Sequence, residues 1–216
     1  MKIILLHGIG NYNPGWSDTL KADELLGVSR ENIIEFNYED LMERNWVNTI
    51  LVVAARAAAS YYATPIAGFA ANYIQDYVDD ILTYFVVPGV RKKILNRFAD
   101  VLQRNPDAIV IGFSLGSIVA YETIKNFPGG NPVFITAGCP LGSPVLEILL
   151  KKFLKVKDKS RPVVKDWFNV YSKIDPISGH IEGLGCEDKD QYKIKSIHRY
   201  ETYLKNIKAK LPELFS

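Results

Sequence analysis

Short apolar runs alternate with amphipathic stretches along most of the chain. The apolar runs, rich in β-branched and aromatic residues, cover residues 2–6, 32–38, 107–113, 132–138, 166–172 and 191–197. Stretches with helical spacing lie between or after them, at residues 19–27, 115–127, 144–154 and 198–211. Strand-like runs separated by helices are typical of βαβ units, whose parallel strands are buried on both faces. We therefore predict an α/β fold in which helices flank a mostly parallel sheet of about six strands.

Residues 41–104 depart from this alternation, because a crossover between two parallel strands needs far fewer residues. The segment is rich in alanine and aromatic residues, and it follows the predicted strand that ends near Tyr38. We predict a lid-like insertion of two or three helices within a single domain, residues 1–216. Its uncharged part, residues 57–75, contains Pro65 and Gly68 and is too weakly hydrophobic for a membrane span.

Composition and charge narrow the classes of partner. The formal net charge is only +2, and residues 151–216 carry 15 Lys and Arg against 9 Asp and Glu. These basic residues are diluted by acids and lack interleaved aromatics, so we predict no nucleic-acid partner. The N-terminal apolar run ends at His7 without a small-residue cleavage site, as expected of a buried strand rather than a signal peptide. Two cysteines are too few for a disulfide framework and fit a reducing, cytoplasmic location. The oligomeric state stays open.

The stretch AIVIGFSLGSIVA, residues 108–120, sets a serine where a strand turns into a helix. Gly112, Ser114 and Gly116 form a Gly-x-Ser-x-Gly pattern, which is a weak signal unless a strand precedes it and a helix follows. Glycines let the two backbones approach and leave Ser114 projecting at the end of the strand. A serine that only caps the helix would not require both glycines. We predict that Ser114 is a nucleophile.

A serine nucleophile needs a base, and the chain has three histidines. His7 comes too early for the Ser, Asp, His order of such sites. His198 follows the last strand-like run, where a loop at the carboxyl edge of the sheet would present it to Ser114. We favour His198, with His180 as the alternative; either histidine in a solvated loop would have no such role.

The third group holds the tautomer of the base. Asp175 follows the strand-like run 166–172, and Pro176 restricts the turn behind it. An ordinary Asp-Pro turn would explain the same pattern. Asp188 and Asp190 are alternatives, although their charged loop has the composition of a solvated segment. We favour Asp175.

Together these motifs resemble the lipase and serine-esterase branch of the α/β-hydrolase family. The resemblance rests on His-Gly-Ile-Gly at residues 7–10 and Gly-Phe-Ser-Leu-Gly at residues 112–116, followed by Asp175 and His198. It covers nearly the whole chain outside residues 41–104. We expect two differences from the family: a sheet without the antiparallel strands that open it in larger members, and an insertion that precedes the serine turn.

The resemblance implies roles for further residues. The amides of Ile9 and Leu115 would stabilise an oxyanion, and His7 would be structural. Residues 136–144, TAGCPLGSP, resemble a loop of intracellular lipase-like esterases, which sets Cys139 near the site without a catalytic role. No metal or organic cofactor is implied.

We accordingly expect a serine hydrolase that cleaves a small-molecule carboxylic ester through Ser114, His198 and Asp175. A thioesterase or amidase would use the same three residues with a different pocket. A catalytically silent hydrolase-fold module, binding a partner through its aromatic insertion, is the alternative from another class. Peripheral contact with lipid stays open.

Overall fold

A computed structural model describes residues 1–8, 10, 12–42, 81, 83–126, 129–143 and 161–216. Most of the predicted insertion, including the uncharged segment 57–75, lies outside these residues, and so does the predicted helix 144–154. The lid-like character of residues 41–104 therefore stays a prediction. No helix within the described ranges has the length and apolar composition that a membrane crossing requires.

Within the described residues, the sheet has six strands, all parallel, in the order β2-β1-β3-β4-β5-β6. Each strand falls within an apolar run of the sequence, so the prediction of a parallel sheet of about six strands is confirmed. The strands are β1 (Ile3–Leu6), β2 (Ile33–Phe36), β3 (Ile109–Phe113), β4 (Val133–Ala137), β5 (Asp166–Ser172) and β6 (Gln191–Ile194).

Side chains alternate between two apolar layers, one on each face of the sheet. Ile4 and Leu6 of β1 belong to one buried cluster, whereas Ile3 and Leu5 belong to the other. Such double burial explains why the central strands β1, β3 and β4 are nearly continuous apolar runs. The first layer is covered by α3 (Val90–Arg104) and α4 (Leu115–Asn126), and the second by α1 (Trp16–Thr19), α2 (Ala22–Leu26) and α5 (Tyr200–Lys210).

Two helices differ from their predicted bounds because single residues adopt left-handed backbone conformations. The stretch predicted as one helix, residues 19–27, is divided between α1 and α2, and Lys21 at the division has a φ of 55°. The last helix begins at Tyr200 rather than at His198, since His198 has a φ of 50°. A non-glycine residue rarely adopts positive φ, so neither helix boundary is visible in the hydrophobic pattern.

The described ends of residues 41–104 are attached to the body by ion pairs. Arg97 of α3 binds Asp40 through two hydrogen bonds of 2.6 and 2.8 Å, next to the end of β2. Glu122 of α4 is buried and accepts hydrogen bonds from Tyr84 at 2.6 Å and from Arg91. Burial and the Glu122 charge raise the pKa of Tyr84 well above its usual range, so its hydroxyl remains a donor.

The strand order creates a topological switch point at β1. The chain passes from β1 to β2 on one side and returns to β3 on the other side. At such a point the loops that follow the two strands diverge, and they leave a crevice at the carboxyl edge of the sheet. His7 and Gly8 follow β1 there, and Ser114 follows β3.

We expect Gly116→Ala to destabilise the fold severely. A Cβ at this position would lie 2.4 Å from the carbonyl oxygen of His7 and 2.8 Å from that of Leu6, so backbone would have to move. We expect a loss of about 3 kcal/mol in the free energy of unfolding, measured with urea.

Gly15→Ala is the matched control, because a Cβ there meets nothing within 4 Å and its cost comes only from a φ of 86°. That cost should be about 1–2 kcal/mol. Equal losses in the two variants would contradict the tight contact between α4 and the end of β1.

Candidate active site

Ser114 occupies the sharp turn between β3 and α4. Its φ is 51°, its amide donates to the carbonyl of Ala137 at 2.9 Å, and its carbonyl accepts from the Ser117 amide at 2.9 Å. A Cβ at Gly112 would lie 2.7 Å from Ser117 Cα, so only glycine fits beneath the turn. The strand, turn and helix expected from the Gly-x-Ser-x-Gly pattern are therefore present, with the serine in a strained conformation.

The loop after β1 lies directly against this serine. A Cβ on Gly8 would approach Ser114 Cβ to 2.7 Å. Ser114 is fully buried, and its Oγ has no hydrogen-bond partner among the described residues. A buried hydroxyl without a partner is costly, which makes it a candidate for a functional group.

The structure describes only one of the two predicted oxyanion donors. Leu115 is the first residue of α4, and the first amides of a helix have no partner within the helix. They also carry the positive end of the helix dipole, which favours a developing negative charge. Ile9 lies outside the described residues, so its role stays a prediction.

His198 and Asp175 form a buried hydrogen-bonded pair. The imidazole Nδ1 lies 2.6 Å from Asp175 Oδ2, and neither side chain is exposed. The other carboxylate oxygen, Oδ1, accepts the amide of Ile177 at 2.9 Å. Because the carboxylate accepts the Nδ1 proton, the neutral imidazole carries its basic lone pair on Nε2.

The end of β4 brings this pair to the serine turn. Ala137 accepts the Ser114 amide, and the next residue is Gly138. A Cβ on Gly138 would lie 3.1 Å from Cε1 of the His198 ring. The ring centroid of Phe113, the residue before Ser114, is 4.7 Å from that of the imidazole. The structure thus sets Ser114 and His198 beside the same strand end.

Serine hydroxyls tie the loop of Asp175 to the segment that carries His198. Ser172 Oγ accepts the amides of Ile174 at 3.3 Å and of Ser196 at 3.2 Å. Ser178 Oγ accepts the amide of Ser172 at 3.1 Å. The bond from Ser196 joins two segments that are separated in sequence, while the other two bonds fix the Asp175 loop itself. Together they hold the histidine and the aspartate in one arrangement.

The alternative histidine also pairs with an aspartate, but near the surface. His180 Nε2 lies 3.2 Å from Asp188, whose side chain is 91% exposed, and Asp190 is partly buried in the same short helical turn. A cavity of about 530 Å³ includes His180 and Asp175 in its lining, but neither Ser114 nor His198 is among its described lining residues. A solvated pair of this kind contributes little to stability and stands outside the serine turn.

His7 is packed between aromatic rings beneath the loop that contacts Ser114. It stacks on Tyr12 and Tyr38 with centroid distances of 4.4 and 4.1 Å. Its Nδ1 donates to the Gly8 carbonyl at 2.8 Å, and its Nε2 accepts the Tyr38 amide at 3.4 Å. Burial lowers the pKa of His7 to about 4, so the ring is neutral near pH 7.

Tyr203 is a site residue that the sequence analysis missed. Its hydroxyl donates to Asp175 Oδ2 at 2.8 Å, the same oxygen that contacts His198. The available signal was a tyrosine on the apolar face of the last helix, because a buried tyrosine hydroxyl requires a partner. The sequence pattern does not indicate which partner that is.

The two cysteines, Cys139 and Cys186, are both free and buried. Burial raises the pKa of the Cys139 thiol to about 12, so it is protonated and poorly nucleophilic at neutral pH. Within the described parts of the chain, no group of three His, Cys, Asp or Glu side chains could hold a metal ion.

In sequence comparisons, no known family model matches the chain, and no curated protein matches it significantly.

We expect the buried His7 to make the fold sensitive to mild acid. Its pKa is about 4 in the folded state against 6.5 in a solvated histidine, so the unfolded state binds more protons between these values. The stabilising difference is present above pH 6.5 and is lost as the pH falls towards 4. The full difference corresponds to about 3 kcal/mol.

Urea unfolding of wild type and His7→Asn at pH 7 and pH 4.5 checks this expectation. Asparagine keeps a donor near the Nδ1 position but does not titrate, so the variant should lose less stability between the two pH values. His180→Asn leaves the buried imidazole in place and should lose stability as the wild type does. A His7→Asn variant with the wild-type pH dependence would contradict the assignment.

Proposed function

We propose that this protein is a serine hydrolase that cleaves a carboxylic ester of a small molecule. The observation that carries the proposal is a buried Ser114, held at positive φ in a strand-to-helix turn, next to a buried Asp175–His198 pair. These features correspond to a nucleophile, a base and the group that orients the base. The α/β-hydrolase fold is part of the same proposal, supported by the parallel sheet and the site at its carboxyl edge.

The proposed reaction begins with proton transfer from Ser114 Oγ to His198 Nε2. The freed oxygen attacks the ester carbonyl carbon, and the carbonyl electrons move to its oxygen to give a tetrahedral oxyanion. The amides of Leu115 and Ile9 stabilise that charge, while Asp175 stabilises the imidazolium. When the intermediate collapses, the C–O bond to the alcohol breaks and His198 returns the proton to the leaving alcohol.

The second half of the reaction regenerates the serine. A water molecule gives a proton to His198 and attacks the acyl carbon of the Ser114 ester. The second tetrahedral intermediate collapses with release of the carboxylic acid, and Ser114 recovers its proton from His198. No step needs a metal or an organic cofactor.

The surroundings of the serine favour an uncharged acyl group. Three of its described neighbours are small or apolar, namely Gly8, Phe113 and Ala137. Apolar walls bind acyl groups well, whereas a charge there would lose its hydration. Cytoplasmic location belongs to the proposal as well, supported by two free cysteines.

We expect Ser114→Ala to remove ester hydrolysis and labelling by a fluorophosphonate probe. Turnover should fall by a factor on the order of 10⁶, because the nucleophile is lost. Ser196→Ala is the matched control, since Ser196 Oγ is also buried without a hydrogen-bond partner among the described residues. Hydrolysis of p-nitrophenyl esters of increasing acyl length, beside thioesters and amides, identifies the preferred bond.

Each outcome of this comparison has a defined meaning. Labelling that is lost in Ser114→Ala but kept in Ser196→Ala supports the proposal. A wild-type protein that neither labels nor hydrolyses any of these substrates is a silent hydrolase-fold module. A Ser114→Ala variant that keeps more than about a tenth of the rate would move the nucleophile elsewhere.

The two histidine–aspartate pairs provide a second prediction. His198→Ala should be about as severe as Ser114→Ala, and the double variant should be no slower than either, because nucleophile and base act as one unit. His180→Ala should keep most of the activity, since its partner is the exposed Asp188. Rates are compared after circular dichroism confirms that each variant is folded. A larger loss of activity in His180→Ala than in His198→Ala would identify His180 as the base.

A further inference from the structure

We propose that Tyr203 is a positioning residue for the Asp175–His198 pair, an inference that rests on the proposed function. Its hydroxyl oxygen lies 2.8 Å from Asp175 Oδ2, and His198 Nδ1 lies 2.6 Å from the same oxygen. One carboxylate oxygen therefore accepts from both the tyrosine and the histidine. The Tyr203 hydroxyl acts on the reaction through Asp175, which it contacts directly.

The three donors around Asp175 fix the orientation of its carboxylate. The Ile177 amide holds Oδ1 at 2.9 Å, while Tyr203 and His198 hold Oδ2. Without Tyr203, the Ile177 amide and His198 alone would oppose rotation of the carboxylate. Proton exchange with the nucleophile takes place at His198 Nε2 and leaves the Nδ1 contact in place, so Tyr203 gives Oδ2 a second donor whose role does not change during the reaction.

The tyrosine is itself held rigidly. It lies on the buried face of α5, where its ring centroid is 5.6 Å from that of Phe113 and 6.4 Å from that of His198. Its oxygen is also 3.2 Å from Ser178 Oγ, within the serine network of the Asp175 loop. The position of the hydroxyl is therefore fixed by the packing of α5 and by the contact with Ser178.

The Tyr203 hydroxyl stays protonated over the pH range in which activity would be measured. Burial raises the pKa of Tyr203, and the nearby Asp175 charge raises it further. A charge on Cys139 would also act on Tyr203, but burial raises the pKa of the Cys139 thiol to about 12. Tyr203 and Cys139 both stay protonated at neutral pH, so the charge facing His198 comes from Asp175.

A hydrogen bond to Oδ2 withdraws negative charge from the oxygen that faces the imidazole. Removal of that bond should concentrate the charge towards His198, favour the imidazolium and raise the pKa of the base. It should also loosen the carboxylate and slow the chemical step. A tyrosine that only fills space would affect stability alone, so the pH profile distinguishes the two roles.

The experiment compares Tyr203→Phe with Tyr200→Phe. Tyr200 lies on the same helix, is buried, stacks on Phe113 at 4.6 Å, and places its hydroxyl 3.4 Å from the Ile111 carbonyl, without a contact to Asp175. Both variants lose one buried hydroxyl. We expect Tyr203→Phe to lower kcat about tenfold and to move the acidic limb of kcat/KM for p-nitrophenyl acetate upwards by about 0.5 pH units or more. Tyr200→Phe should leave kcat and the acidic limb of kcat/KM unchanged.

A second measurement does not depend on activity. In protein labelled with ¹⁵N-histidine, the three imidazoles are assigned with His7→Asn and His180→Asn, and the titration of His198 is followed in each tyrosine variant. A higher pKa of His198 in Tyr203→Phe alone supports the inference. Identical titrations and identical pH profiles in the two variants would overturn it.

This design separates the two proposals. If the wild type neither labels nor hydrolyses, the proposed function fails, and the His198 titration still tests the effect of Tyr203. If the wild type is active and Tyr203→Phe behaves as Tyr200→Phe does, only the positioning role fails.

Discussion

The site depends on the close approach of three backbone segments without side chains between them. The first turn of α4 lies so close to the end of β1 that a Cβ on Gly116 would overlap the carbonyl of His7. Gly112 lets the first turn of α4 lie close to the end of β3, beneath the serine turn. Gly8 lets the loop after β1 contact Ser114. These contacts join β1, β3 and α4 at the switch point of the sheet. The position of the serine follows from this packing rather than from any bond that its own side chain makes.

The parts of the structure that follow from local pattern could be predicted from the sequence. All six strands lie within the strand-like runs of the sequence. The central strands β1, β3 and β4 are buried along their whole length because helices cover both faces of the sheet there, whereas β2 and β6 keep partly exposed positions such as Glu35 and Lys193. The serine turn was predicted from two glycines between a strand and a helix, and Asp175 and His198 from their places after later strands. The contact between Asp175 and His198 is present in the structure, while their catalytic roles remain proposals.

The parts that the sequence did not reveal depend on single backbone torsions or on partners distant in the chain. Nothing in the hydrophobic pattern marks Lys21 as left-handed, so the sequence predicts one helix where the structure has two. Tyr203 has the pattern of an ordinary core residue of an amphipathic helix, and its bond to Asp175 joins residues 28 positions apart in the chain. The pairing of His180 with Asp188 likewise depends on how two loops fold back on each other. Long-range pairs of this kind leave no periodic signal.

Ser114 and His198 share an uncommon feature, since both adopt positive φ although neither is glycine. Each such residue costs about 1–2 kcal/mol relative to glycine in the same conformation. At His198, a change to glycine would lose the buried bond to Asp175, which offsets that gain. At Ser114, whose Oγ has no hydrogen-bond partner among the described residues, selection for folding alone would favour glycine. A chain that retains a hydroxyl there gives up part of its small margin against unfolding for a group that makes no bond within the described fold. Laboratory evolution for heat resistance alone would act against Ser114, so it should be paired with a screen for activity.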